Sequence, residues 1–79
     1  MSGSSWSALN PLDARVLRAT DPLAVRRVER VARLAGCSEE IARSSLRRLV
    51  GRMLVEPDGC RPSGWLRTRR GDVALEHQP

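Results

Sequence analysis

The chain of 79 residues contains no Lys, no Phe, no Tyr and only one His. Its two Cys residues, Cys37 and Cys60, have no further Cys or His at metal-ligand spacing, which argues against both a disulfide framework and a zinc site. It has no run of roughly 18 apolar residues for a membrane span, and residues 1–5 lack the pattern of a signal peptide. We therefore expect a reduced cytoplasmic protein with no metal, no cofactor and no membrane partner.

Catalytic residue sets are missing as well. The sequence shows no Ser/His/Asp set, no Gly-rich phosphate loop, no paired carboxylates and no metal cluster, so we expect no enzyme. Without Phe and Tyr, stacking on single-stranded bases is also poorly supported.

What the chain has in excess is arginine. All 14 basic residues are Arg, against 9 acidic residues, which gives a net charge of +5 and a pI of about 11.2. GC-rich coding DNA would by itself produce an Arg-only composition. Arg is also the better residue for bidentate contacts with phosphate and guanine. A small basic domain therefore indicates a nucleic acid or another anionic surface as its partner.

The length allows one domain. We predict a disordered leader over residues 1–8, a folded domain over residues 9–76 and a tail over residues 77–79. Trp6 either packs on the first helix or mediates self-association.

The first helix is predicted to begin after the N-cap Asn10 and to end near Ala19, with Asp13 complementing the helix dipole. A second helix is expected from about Arg26 to Ala35 because Val28, Val31, Ala32 and Ala35 share one face. The segment 23–25 before it is either a short strand or the start of that helix.

A tight turn then leads to the most informative helix of the chain. Gly36 can adopt the left-handed conformation that ends a helix, and Ser38 is an N-cap residue. The third helix, over about residues 38–52, is amphipathic. Its predicted apolar stripe consists of Ala42, Leu46, Leu49 and Met53, flanked by Ile41 and Val50. Its opposite side carries Arg43, Ser44, Arg47 and Arg48.

A β-hairpin and a short helix complete the predicted domain. Residues 54–57 and 65–68 have strand character, and the turn-rich segment 58–64 joins them. Thr68 is expected to cap a last helix over residues 69–76, which Gly71 weakens. Trp65 is expected to pack in the core or within the wing.

This order predicts an α+β, mostly α fold, with a three-helix core, a two-stranded β wing and a short C-terminal helix. Four groups of residues carry a resemblance to a known family: Ala32, Gly36 and Ser38 around the turn, Leu46 to Leu49, Met53 to Glu56, and Trp65 to Gly71. In these the chain resembles the bacterial winged helix-turn-helix regulators, the superfamily that includes the multiple-antibiotic-resistance and arsenic-resistance repressors.

Two positions depart from the family pattern. Met53 replaces the usual Gly after the third helix, so the helix end is expected to be less tightly turned. Arg67 replaces the usual Leu, so either Arg67 leaves the core or the strand register shifts and Leu66 points inward.

The resemblance implies double-stranded DNA as the partner, with the third helix in the major groove and the wing at residues 58–64 on the backbone or minor groove. By position, Arg43, Ser44 and Arg47 would approach bases, and Arg48 and Arg52 would approach phosphates. Arg26, Arg27 and the wing residue Arg61 would add further backbone contacts. The expected role is a small transcriptional regulator or a DNA-associated accessory factor in a bacterial nucleoid.

Several alternatives remain open. The Arg side of the third helix is either a solvated face or a DNA contact, and Glu39 and Glu40 either complement the helix dipole or accept from cytosine. Cys37 is expected to be a small buried apolar residue and Cys60 an exposed one with a redox role as the alternative. The rival function is a winged helix that binds another protein or its own copy within a larger assembly, and the chain is alternatively a domain of a larger protein.

Overall fold

The computed structural model describes residues 9–59 and 64–77. Within them the chain forms four helices and a three-stranded antiparallel sheet in the order β1-β3-β2. The helices are α1 (Pro11–Ala19), α2 (Val28–Ala35), α3 (Glu39–Gly51) and α4 (Arg69–Glu76), and the strands are β1 (Arg26–Arg27), β2 (Val55–Pro57) and β3 (Gly64–Arg67). The expectations for the leader with Trp6, for Cys60 and Arg61, and for residues 78–79 lie outside the described residues.

Side-chain caps set the starts of three helices, as the sequence predicts. The backbone N–H of Asp13 donates to Asn10 Oδ1 at 2.7 Å, and the N–H of Ile41 donates to Ser38 Oγ at 3.2 Å. Thr68 Oγ1 accepts from the N–H of Gly71 at 3.0 Å and donates to the carbonyl of Met53 at 2.8 Å. Each cap satisfies an N–H group that the first turn of a helix leaves without a partner.

The ends of α2 and α3 share one geometry, although their sequences differ. After α2, Gly36 has φ +73°, and the N–H of Cys37 donates to the carbonyl of Ala32 at 3.0 Å. After α3, Met53 has φ +64°, and the N–H of Leu54 donates to the carbonyl of Leu49 at 2.9 Å. Both ends are Schellman motifs. The expectation that Met53 makes the helix end less tightly turned is therefore wrong.

The core lies between α1, α2 and α3, with the sheet and α4 at one side. Val16, Leu17, Val31, Leu46 and Leu49 have no exposed surface. Trp65 is buried, as predicted, and Cys37 is half-buried against the core. The predicted apolar stripe of α3 is wrong at its end, because the αL turn points the Met53 side chain outward and leaves it 69% exposed.

The second helix begins two residues later than predicted. Arg26 and Arg27 pair with Trp65 and Gly64 as an edge strand, so the short strand before this helix lies at residues 26–27 and not at 23–25. A hydrophobic pattern does not reveal this, because two Arg residues have no strand signature of their own. The sheet therefore has a third strand beyond the predicted two-stranded wing.

Arg67 stays on the inner side of the sheet, so neither sequence expectation for it holds. It lies opposite Val55 in the antiparallel register, which places both side chains on the same face, while Leu66 lies opposite Glu56. Its guanidinium donates to the carbonyl of Leu17 at 3.5 Å, and its Nε lies 3.0 Å from Asp72 Oδ1. A cation is tolerated there because the Asp72 carboxylate offsets its charge and the Leu17 carbonyl accepts one of its N–H groups.

No helix in the ranges 9–59 and 64–77 is long and apolar enough to cross a membrane.

Candidate functional site

The outer side of α3 carries the residues that the sequence predicts to contact bases. Ala42, Ser45, Leu46 and Leu49 are buried against α1 and α2, which leaves the opposite side of the helix in solvent. The turn after Gly36 and the cap at Ser38 fix where this helix begins, and hairpin strand β2 packs beside its C-terminal half. The exposed side carries Glu40, Arg43, Ser44, Arg47 and Gly51.

Arg43 and Arg47 are neighbours on this side because they are four residues apart on a helix. With the other described residues, neither forms a hydrogen bond or an ion pair. They line a groove of about 370 Å³ between α3 and the hairpin, with Val50, Pro57 and Trp65 as its apolar walls. Two unpaired guanidinium groups beside each other repel, so this arrangement is unfavourable in the isolated chain and suited to an anionic ligand.

Ser44 is exposed on the other edge of the same surface. With Glu40, Ile41, Leu12 and Arg48 it lines a second groove, of about 390 Å³, between α3 and the start of α1. All three residues predicted to contact bases, Arg43, Ser44 and Arg47, therefore lie on one continuous exposed surface.

Arg48 is bound within the fold. Its Nη2 and Nε donate to the Asp13 carboxylate at 2.7 and 3.1 Å, and Ser45 Oγ donates to the same carboxylate at 2.5 Å. Asp13 is buried, whereas the Arg48 side chain is 49% exposed. This bidentate contact joins α1 to α3 and fixes the direction of the Arg48 guanidinium.

The charge state of Asp13 follows from its surroundings. Burial favours the neutral acid, but hydrogen bonds from Arg48 and Ser45 outweigh it, with further help from the charges of Arg48 and Arg52. The pKa of Asp13 is therefore lowered from its ordinary value of 3.8. At neutral pH the group is a carboxylate, which accepts all three bonds.

Sequence reasoning missed this cluster, since it assigned Asp13 to the helix dipole and Arg48 to phosphate. A signal was present: Asp13 lies on the buried face of α1 with Val16, Leu17 and Thr20, and Ser45 lies among the buried residues of α3. Polar residues at core positions of two adjacent helices require partners, and the nearest partners are each other.

The other residues predicted to contact DNA differ in their surroundings. Arg26 is held by the carbonyl of Ala19 at 2.8 Å and by Asp21 Oδ2 at 3.2 Å, whereas Arg27 is exposed at the start of α2. Arg52 is exposed after α3 and contributes to the field at Asp13. The predicted wing contact Arg61 lies outside the described residues.

A third surface is apolar. Val50, Met53, Val55 and Pro57 give a groove of about 380 Å³ beside the edge strand β2 its apolar lining, and Glu56 and Thr68 complete it. Exposed apolar surface of this kind is a feature of protein-binding sites.

The described residues include no group of three or more His, Cys, Asp or Glu side chains that could hold a metal ion. Comparison with known proteins finds no matching family model and no matching curated protein. The chemistry available on the outer side of α3 is that of the exposed guanidinium donors of Arg43 and Arg47 and the carboxylate acceptor of Glu40 at the helix start.

Proposed function

We propose that this chain is a winged helix-turn-helix module that binds double-stranded DNA, as a small transcriptional regulator or a DNA-associated accessory factor. In such modules the second helix of the motif enters the major groove, and the first helix crosses the backbone. Here α3 would be the helix in the groove, α2 the helix over the backbone, and the β2–β3 hairpin the wing.

The observation that carries the proposal is the pair Arg43 and Arg47. They are exposed, have no described partner, and lie on the helix surface that the fold leaves open beside the hairpin. Two exposed Arg side chains four residues apart on a helix repel each other, which disfavours the free chain slightly. The phosphates of a bound duplex attract both side chains.

The structure suggests different roles for the predicted contacts. Arg43, Ser44 and Arg47 are available for base edges, and Arg27 and Arg52 are on the surface for phosphate contacts. Arg48 would mainly hold α3 against α1, since its Nε and Nη2 already donate to Asp13. Arg26 would support the fold through Ala19 and Asp21. The phosphate contact of Arg61 stays a prediction.

A salt titration of duplex binding tests the proposal. Measured by fluorescence anisotropy, the logarithm of the association constant should fall linearly with the logarithm of salt concentration, with a slope near −0.9 per neutralised phosphate. Arg43→Ala and Arg47→Ala should each weaken binding to the preferred sequence by about 1–3 kcal/mol if the side chain contacts a base.

Arg18→Ala is the matched control. Arg18 is also an exposed helical Arg, but it lies on the solvent side of α1, away from the outer side of α3. Its loss removes the same net charge and should leave duplex affinity within about 0.5 kcal/mol of the unmodified chain. Equal losses for Arg18→Ala and Arg47→Ala would show a diffuse charge effect and contradict a defined α3 interface.

The apolar groove at Val50, Met53 and Val55 favours a second candidate function, a winged helix that binds another protein. The exposure of Met53 supports it, because Met is common at adaptable binding surfaces. Absence of duplex binding at low salt would favour this candidate over DNA binding.

A further inference from the structure

Glu40 stands at a position where its charge would be repelled by the phosphates of a bound duplex. It lies in the first turn of α3, and its side chain is on the exposed side together with Ser44 and Arg47. Residues near the N-terminus of the helix in the groove are the ones that contact base edges in helix-turn-helix proteins. Its carboxylate would therefore face the duplex.

The helix dipole explains an acidic residue in this turn but not one on this side of the helix. Glu39 is in the same turn and lies about 100° around the axis from Glu40, so it supplies the same stabilisation from another direction. Glu40 has no hydrogen bond or ion pair with any described residue that would hold it for a structural reason.

A carboxylate is selective among the base pairs because it only accepts hydrogen bonds. In the major groove, cytosine presents a lone N4 donor, whereas adenine presents its N6 donor beside the N7 acceptor, which repels a carboxylate. Guanine presents two acceptors, which suit Arg and disfavour Glu.

We propose that α3 reads cytosine through Glu40 and guanine through Arg43 and Arg47, so that the ligand is duplex DNA with a G·C-rich site. This inference rests on the proposed DNA-binding function and specifies the class of duplex. Glu40 and Arg47 are about 10 Å apart along the helix axis, which is about three base-pair steps of 3.4 Å. A segment of about four base pairs thus accommodates both contacts.

Three alternating duplexes of equal length test the preference by anisotropy at one low salt concentration: guanine–cytosine, inosine–cytosine and adenine–thymine. Inosine lacks only the minor-groove amino group of guanine, so the inosine duplex keeps the major-groove pattern of G·C. The unmodified chain should bind the first two duplexes alike, and about tenfold more tightly than the third.

Glu40→Ala should reduce this preference at least threefold and tighten binding to the adenine–thymine duplex, because phosphate repulsion is removed. Glu40→Gln should shift the preference toward adenine–thymine, since an amide suits the adenine edge. The control Glu39→Ala removes the same charge from the same turn and should strengthen binding to all three duplexes equally.

The experiment distinguishes a failure of the proposed DNA binding from a failure of base reading by α3. If the unmodified chain binds none of the duplexes, the proposed function itself is overturned. If it binds all three equally, or binds the inosine duplex like adenine–thymine, DNA binding stands and base reading in the major groove is overturned. If Glu39→Ala and Glu40→Ala give the same profile, Glu40 acts only as a charge and the inference is wrong.

Discussion

At the residue scale, Met53 has a left-handed backbone conformation that glycine usually adopts. The Schellman motif after α3 holds Met53 at φ +64°, the conformation that Gly36 adopts after α2. For an L-residue other than glycine this conformation costs roughly 1–2 kcal/mol. The Met53 side chain recovers little of this cost within the fold, because it is 69% exposed.

Met53→Gly should therefore stabilise the chain. Relief of the left-handed strain exceeds the extra chain entropy that glycine loses on folding, and we expect a net gain of up to about 1 kcal/mol in the free energy of unfolding. Urea denaturation followed by circular dichroism measures it.

Gly36→Ala is the reciprocal control. A Cβ at Gly36 meets no atom within 4 Å, so the substitution adds only the backbone strain and should destabilise by about 1 kcal/mol. A loss of stability in Met53→Gly would show that the Met53 side chain packs more productively than its exposure indicates.

At the scale of elements, α4 shows packing overriding helix propensity. Gly71 lies in its first turn and disfavours a helix by propensity, yet the helix forms. A Cβ at Gly71 would overlap the carbonyl oxygen of Leu54 and lie 2.8 Å from Arg67 Cγ. Glycine is needed because the backbone of α4 approaches the start of β2 too closely for any side chain.

Gly71→Ala should destabilise the chain by about 1–3 kcal/mol through this overlap, although Ala is the better helix former. Gly51→Ala, at the last residue of α3, has no atom within 4 Å of the new Cβ and should be neutral or stabilising. In thermal or urea unfolding, the curve of Gly71→Ala should shift to lower stability, whereas that of Gly51→Ala should stay in place or shift to higher stability. A stabilised Gly71→Ala variant would contradict the close approach.

The elements that the sequence predicts well are those with local signals. The caps at Asn10, Ser38 and Thr68, the left-handed Gly36 and the apolar face of α3 up to Leu49 each depend on neighbours within a few residues. Strand β1 and the inward position of Arg67 depend on partners far along the chain, which no local pattern encodes.

The residues of the candidate site also differ in whether a local sequence pattern predicts their surroundings. The exposure of Arg43 and Arg47 follows from helical periodicity, whereas the engagement of Arg48 by Asp13 needs the packing of α1 on α3.

At the scale of the whole molecule, the Asp13 carboxylate couples folding to pH. Its pKa is lower in the folded chain than the ordinary value of 3.8 expected when unfolded, so its ionised form favours folding. This stabilisation is complete above the unfolded pKa and is lost as the pH falls from about 4 through the folded pKa.

Asp13→Asn should lower the free energy of unfolding at pH 7 by about 1–3 kcal/mol, because the charge-assisted bonds from Arg48 and Ser45 are lost or weakened. Urea titrations between pH 7 and pH 2 should show the two chains converging as the acid limit is approached. Parallel pH profiles would mean that Asp13 is not the group responsible. Asp21→Asn provides the comparison with a half-buried carboxylate whose pKa is also lowered.

The central position of β3 has a consequence for the order in which the chain folds. Its two partners lie on opposite sides of it in the sheet and at very different distances along the chain: β2 is its hairpin neighbour, whereas almost half of the chain separates Arg27 from Gly64. The entropy of closing that long loop opposes β1 pairing until the three-helix core has brought the ends together. We infer that the sheet is completed late, so that a nascent chain gains its full cooperativity only when Trp65 and its neighbours have emerged.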